Sequence, residues 1–132
     1  ALAMAIVYGP RQRAESGVVA AFAAAAAEEE RAAVIRGDGR QTRDLLFVDD
    51  AVDALVRSAE KGGGLVINIG TGEQTPIREL WSMLAGPTAP PPVAAPADAD
   101  AVGRFALSSA RARIHLGWSS WTSLADGLAA GR

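Results

Sequence analysis

Two short runs constrain the fold of this chain more than any other feature. Residues 2–7 and 65–69 are apolar on both faces of an extended chain instead of on alternate positions. A strand of that kind is buried on both sides, the condition of a parallel sheet covered by helices. Parallel neighbours cannot be joined by a hairpin and need a long crossover, usually helical. The connection between these runs is long and carries helical patterns, so the expectation is an α/β fold with both runs parallel in one sheet. Tyr8-Gly9-Pro10 stops the first run with a turn. Ligands of open α/β sheets sit beyond the carboxyl ends of the strands, so this turn is placed to meet one. An ordinary strand exit has the same composition.

Residues 37–50 concentrate the remaining signals. Gly37-Asp38-Gly39 is a turn, because both glycines allow positive φ and the aspartate can bond its own backbone. Leu45 to Val48 is an apolar run of strand length. Asp49-Asp50 is expected to open a helix, one carboxylate capping the free amides and both charges suiting the positive helix end. Arg43 is a cation just ahead of the strand. Two readings are open for it: a guanidinium fork for a ligand phosphate or carboxylate, or a structural partner of Asp38, Asp49 or Asp50.

Further elements follow from periodicity and caps. Glu15 or Ser16 is expected to cap a helix running to about Glu30, with Val18, Val19 and Phe22 inward. Val34-Ile35 reads as a strand. Helix 50–60 carries Val52, Leu55, Val56 and Ala59 at helical spacing. Gly70-Thr71-Gly72 could offer amides to a phosphate or be a plain strand-to-helix turn. Thr75 and Pro76 read as N-cap and first residue of a helix that buries Ile77, Leu80, Trp81 and Leu84. Five prolines in 87–96 make 87–100 a Pro/Ala-rich linker. Ser108 is expected to cap helix 109–116. His115, the only histidine, sits in its last turn, where a cation is favoured. Trp118, Trp121 and Leu124 are expected to dock a final helix, 122–130.

Composition excludes several classes. At 132 residues the chain is one domain or a fragment of one, and 49% apolar content makes it globular. A net charge of −2 with both signs dispersed argues against a nucleic-acid or polybasic membrane surface. There is no cysteine, which removes disulfides and thiolate metal sites and fits a reducing, cytoplasmic compartment. No apolar run reaches membrane-spanning length, and no metal-ligand cluster is evident. The chain opens without methionine inside an apolar run, as a piece of a longer protein would.

The stretch 37–50 resembles the Gly-Asp-Gly-x-Gln-Thr-Arg-Asp segment of extended short-chain dehydrogenases/reductases. These are the nucleotide-sugar epimerases and dehydratases, and the likeness is nearest to the UDP-glucose 4-epimerases. Val7-Tyr8-Gly9-Pro10-Arg11-Gln12, Gly17-Val18-Val19-Ala20, Asn68-Ile69-Gly70-Thr71-Gly72 and Leu116-Gly117-Trp118 agree with it in order. The resemblance implies that residues 1–132 are the C-terminal, substrate-side portion of such an enzyme. The fold would be part of a Rossmann-type doubly wound parallel sheet plus a small, mainly helical substrate-binding lobe. It further implies a nucleotide-sugar substrate, NAD as cofactor, a homodimer, and hydride removal and return at a sugar carbon. Tyr8, Gly9, Pro10, Arg11 and Gln12 would meet the sugar, and Arg43 a phosphate.

Departures from the family pattern are equally specific. Ile6 stands where the family has a diphosphate-binding asparagine. Asp98-Ala99-Asp100 stands where it has a phosphate-clamping arginine, and Ser108 where an aspartate is usual. The glycine-rich dinucleotide fingerprint and the Tyr-x-x-x-Lys pair do not occur: Tyr8 is the only tyrosine, and Gln12 occupies the position of its lysine. No catalytic residue is therefore assigned, and the chain alone is expected neither to turn over substrate nor to bind NAD. The same departures suit two other readings, a non-catalytic split or decayed module, or a superfamily reductase whose substrate lacks a diphosphate.

Overall fold

The computed structural model describes residues 1–28 and 31–131. The N-terminal run forms two consecutive strands, β1 (Leu2–Met4) and β2 (Ile6–Tyr8). β1 pairs in parallel with β6 (Ile67–Ile69), Leu2 opposite Ile67 and Met4 opposite Ile69. That is the pairing expected of the two apolar runs. β2 pairs in parallel with a different strand, β5 (Leu45–Phe47). The exchange happens at one residue: Ala5 N–H donates to Ile69 O at 2.8 Å, and Ile6 N–H donates to Asp44 O at 3.1 Å. Consecutive amides of an extended chain point to opposite edges, so β5 and β6 flank the strand on opposite sides.

Two smaller pairs complete the strands. β3 (Val34–Arg36) runs parallel to β8 (Val93–Ala95), which lies inside the proline-rich stretch 87–100. β4 (Thr42–Arg43) runs antiparallel to β7 (Thr75–Pro76). The helices are α1 (Val18–Ala26), α2 (Val48–Ser58), α3 (Ile77–Ala85), α4 (Ala110–Leu116) and α5 (Leu124–Ala130).

β5 divides the interior in two. Side chains alternate across a strand, so Leu45 and Phe47 enter one core with Tyr8, Phe22, Trp81 and Leu128. Leu46 enters the other, with Ile67, Ile69, Leu116 and Trp118. In the first core Trp81 meets Phe22 edge-on at 5.6 Å and donates its indole N–H to Pro90 O at 3.3 Å. The expected inward face of α3 is buried as read, at Ile77, Leu80, Trp81 and Leu84.

Helix starts differ from the expectation. α2 begins at Val48, so Asp49 and Asp50 lie inside its first turn and neither caps it. Asp50 turns inward: one carboxylate oxygen accepts the Trp121 and Thr122 amides at 3.0 and 3.1 Å, and the other accepts the Thr122 hydroxyl at 2.7 Å. That anchorage rotates the helix. Ala51 and Ala54 become its buried face, while Val52, Leu55 and Val56 are 50%, 51% and 65% exposed. Small residues let α2 lie close on the strands, which the larger ones would prevent. Thr75-Pro76 pairs as β7, so α3 starts at Ile77 without a side-chain cap. Gly17 separates a 3₁₀ turn at Ala14–Ser16 from α1, which ends at Ala26; Glu30, the expected end, lies outside the described residues. Ser109, not Ser108, precedes α4, and its hydroxyl is bonded to Gly70 instead of the helix. Trp118 does the docking beneath α2, with its indole N–H on Asp50 O at 2.9 Å, whereas Trp121 is exposed.

Candidate functional site

A cleft of about 1310 Å³ opens between segments 14–22, 34–43 and 97–104. Its floor is shaped by the Gly-Asp-Gly turn, with Gly37 and Gly39 at φ +75° and +76°. Asp38 accepts the Arg40 amide at 2.9 Å, and Gln41 closes the turn by donating to Arg36 O at 2.7 Å. The neighbouring wall is tied to β4 by backbone: Thr42 N–H donates to Gly103 O at 2.9 Å, and Phe105 N–H donates to the Thr42 hydroxyl at 3.3 Å.

Arg36, Arg40, Arg43 and Arg104 all line this cleft. Arg36 pairs with Asp98 at 2.9 Å and Arg40 with Asp38 at 3.7 Å. Both pairs are solvent-exposed, so each adds little stability. Arg43 pairs with no carboxylate among the described residues, and so with none of Asp38, Asp49 and Asp50. Its Nη1 donates to Thr42 O at 2.7 Å and Val102 O at 2.8 Å. Two carbonyls thus fix the guanidinium, while its Nε and Nη2 donors stay uncommitted among the described residues. Such a group suits an anion, because the fork is oriented before the ligand arrives.

The Tyr8–Gln12 loop lines a separate, more apolar cavity of about 550 Å³ together with alanines of α1. The structure therefore does not bring this loop and Arg43 into one cavity; segment 14–27 walls both. Gly9 is required by close approach, since a Cβ there would come within 2.5 Å of Val48 Cγ1. Arg11, at φ +67°, is the only non-glycine residue with positive φ among those described, a costly backbone state for an arginine. Gln12 secures the loop through Gly9 O and Val7 O, both at 3.3 Å. Pro10 is exposed at its tip.

Tyr8 is 3% exposed, with its ring edge-on to Phe47 and its hydroxyl against Gly127. Burial, and secondarily the negative Asp50, push its pKa from 10.0 up to about 12. A phenol of that kind stays protonated at neutral pH and can donate a hydrogen bond, but it is no general base. As the sole tyrosine it titrates without interference. Ultraviolet titration of this chain should show no tyrosinate near pH 10 and a midpoint toward pH 12. The raised folded value stabilises the fold below the unfolded pKa of about 10, and this contribution is lost as pH rises through about 12. A midpoint at 10 in the folded chain would contradict the described burial.

The Gly70-Thr71-Gly72 loop is a structural turn. Asp44, wholly buried, accepts the Thr71 amide and hydroxyl on one oxygen at 2.9 and 2.7 Å, and the Gly72 and Leu107 amides on the other, both at 3.0 Å. The Gly70 amide goes to the Ser109 hydroxyl at 3.0 Å. Those amides are not offered to a phosphate, so this turn does not fit a dinucleotide pyrophosphate. Among the described residues no cluster of His, Asp or Glu could hold a metal, and no helix is long and apolar enough to cross a membrane. Residue patterning missed Asp44. The one local signal for Asp44 was an acidic residue entering an apolar run.

Comparison with known proteins bears on the whole arrangement. Residues 1–70 match the NAD dependent epimerase/dehydratase family. A UDP-glucose 4-epimerase of Mycolicibacterium smegmatis is 45% identical over 97% of this chain and 42% of its own length. The crystal structure of UDP-glucose 4-epimerase from Thermotoga maritima, with UDP-glucose, superposes with a TM-score of 0.90 at 38% identity, over 98% of this chain and 43% of that one. A Bacillus cereus UDP-glucuronic acid 4-epimerase, in complex with UDP-glucuronic acid and NAD, gives 0.88 at 32% identity, over 98% and 42%. The chain thus spans less than half the length of these relatives, and their folds are of the α/β type described above.

Proposed function

The chain belongs to the NAD dependent epimerase/dehydratase family, and on that premise we propose that it is the substrate-side portion of a longer nucleotide-sugar epimerase of the UDP-glucose 4-epimerase kind. The reaction class is removal of hydride from a sugar carbon to NAD and its return to the opposite face. The observation that carries the reading is Arg43, fixed in the cleft by two carbonyls and neutralised by no carboxylate among the described residues. Arg43 holds a substrate phosphate, and the Tyr8–Gln12 loop meets the sugar. The pyrophosphate cradle for NAD and the Tyr-x-x-x-Lys pair come from sequence beyond these residues. Family resemblance is also what supports a homodimer working in the cytoplasm.

Arg43→Ala in the full-length protein tests this. Loss of a charge-assisted bond costs roughly 1.5–3 kcal/mol, so affinity for UDP-glucose should fall about ten- to a hundredfold. NAD retention should barely change. A lowered melting temperature with intact affinity for every nucleotide sugar tried would make Arg43 structural. One observation favours a second reading, a superfamily enzyme whose substrate lacks a diphosphate. Asp98 contributes a negative charge to the cleft and engages Arg36. Under that reading, Arg43→Ala leaves UDP binding unchanged.

A further inference from the structure

The buried Asp50 carboxylate spends its bonds on one short segment, the approach to α5. It accepts the Trp121 and Thr122 amides and the Thr122 hydroxyl. Those two residues stand directly before Ser123, whose hydroxyl caps α5 by accepting the Asp126 amide at 3.1 Å. α5 has seven residues, too few to be stable in isolation. Its place is therefore set by what holds its start and by what its buried face meets. That face is Gly127 and Leu128. Gly127 lies against Tyr8 and Phe47, and Leu128 belongs to the core that contains both rings. Gly127 and Leu128 also wall the cavity of about 550 Å³ that the Tyr8–Gln12 loop lines. A packed relay thus runs from Asp50 through 121–122 and α5 to that cavity. The Arg43 cleft is held by other means. Arg43 is fixed by Thr42 O and Val102 O, and no residue of 118–131 lines that cleft.

We infer that Asp50 is a positioning residue for the sugar part of the substrate: by fixing the start of α5 it holds the Gly127–Leu128 wall of the cavity at the distance the Tyr8–Gln12 loop requires. The inference rests on the reading that this loop meets the sugar, and adds what keeps another wall of the same cavity in place. Bonds from backbone amides to an ionised carboxylate are short and strong, so the anchor is stiff. Without it the amides of 121 and 122 turn to water and α5 is held by its packing alone. The cavity wall then shifts while Arg43, bonded elsewhere, stays. Asp50 should therefore govern how well a sugar is bound and leave the grip on phosphate unchanged.

Calorimetric titration of the full-length protein with UDP-glucose and with UDP tests the inference. Asp50→Ala should weaken UDP-glucose about tenfold, short of the roughly hundredfold that a 1 Å misplacement can cost, and leave UDP unchanged. Asp50→Asn should restore most of the UDP-glucose affinity. Its amide oxygen can accept both backbone N–H groups, and the Thr122 hydroxyl can turn to accept from its amide nitrogen. Thr122→Val removes a single bond and keeps the side-chain shape, so it decides the matter if Asp50→Ala does not fold; about a threefold loss for UDP-glucose alone is expected. Equal weakening of UDP and UDP-glucose overturns the inference and makes Asp50 a general stabiliser. Ala24→Leu, which fills the cavity from its α1 wall, separates the two readings. If it weakens UDP-glucose while the Asp50 and Thr122 variants do not, Asp50 loses its role and the loop reading stands. If none of these variants weakens UDP-glucose, the loop reading falls with it.

Discussion

Asp44→Ala is expected to leave little folded protein. The Asp44 carboxylate is wholly buried and serves four donors: the Thr71 amide and hydroxyl, the Gly72 amide and the Leu107 amide. Alanine removes every acceptor at once. The Thr71 hydroxyl can rotate to another acceptor, but three backbone amides cannot. Each orphaned buried donor costs about 1–3 kcal/mol, and partial access of water to the 71–72 loop lowers the total. A loss of roughly 4 kcal/mol remains, close to the lower end of the whole stability of a domain, about 5–15 kcal/mol. Asp44→Asn keeps the shape but points an amide N–H₂ at N–H donors, so about 2–3 kcal/mol should still be lost. Urea denaturation of both variants measures this. A loss below about 1 kcal/mol for alanine would sink the account, since a single unsatisfied donor already costs that much.

Asp44 also marks the boundary of what patterning can read. The Gly37–Gly39 turn, the pairing of the two apolar runs and the buried face of α3 were legible because each depends on neighbours in sequence or on a simple period. Asp44 and Asp50 were not, because their partners lie at 71–72 and 107, and at 121–122. An acidic pair at a helix start has the composition of a cap whether or not it caps. Only tertiary contact shows that Asp50 turns inward and leaves Val52, Leu55 and Val56 outward. The same holds for the site. Arg43 and the Tyr8–Gln12 loop stood out through turn chemistry and resemblance. That segment 102–105 lies beside Arg43 shows only in the bonds it makes to Thr42 and Arg43.

Gly127→Ala should destabilise the chain even though it improves helix propensity. Gly127 lies within α5, where alanine is favoured over glycine by about 1 kcal/mol. Against that gain, an added Cβ would fall on the Tyr8 hydroxyl, 2.9 Å from Tyr8 Cζ and 3.1 Å from Phe47 Cδ2. These rings pack edge-on with centroids 5.7 Å apart, and both are buried, so neither can give way cheaply. Overpacking of a core costs about 1–3 kcal/mol and occasionally more. With overlap on two aromatic rings the upper end applies, and a net loss of roughly 2 kcal/mol is expected. Tyr8→Phe in the same chain removes the most severe overlap. The double variant should therefore be more stable than Gly127→Ala alone, a coupling that a double-mutant cycle reads directly. Additive losses would show that the hydroxyl is not the obstacle.

The exchange of partners at Ala5 has a consequence for biosynthesis. β2 cannot pair until residues 45–47 have been made, and β1 must wait for 67–69. At roughly 5–20 residues per second, residues 2–8 are made several seconds before these two partners. Among the described residues no hairpin shortens the wait, because every strand pair there joins distant segments. Loop closure must precede each of these contacts, which slows folding. Residues 2–8 therefore pass through a window in which the edges that β5 and β6 later cover are open to chaperones or to other nascent chains. That window closes from the β5 side first.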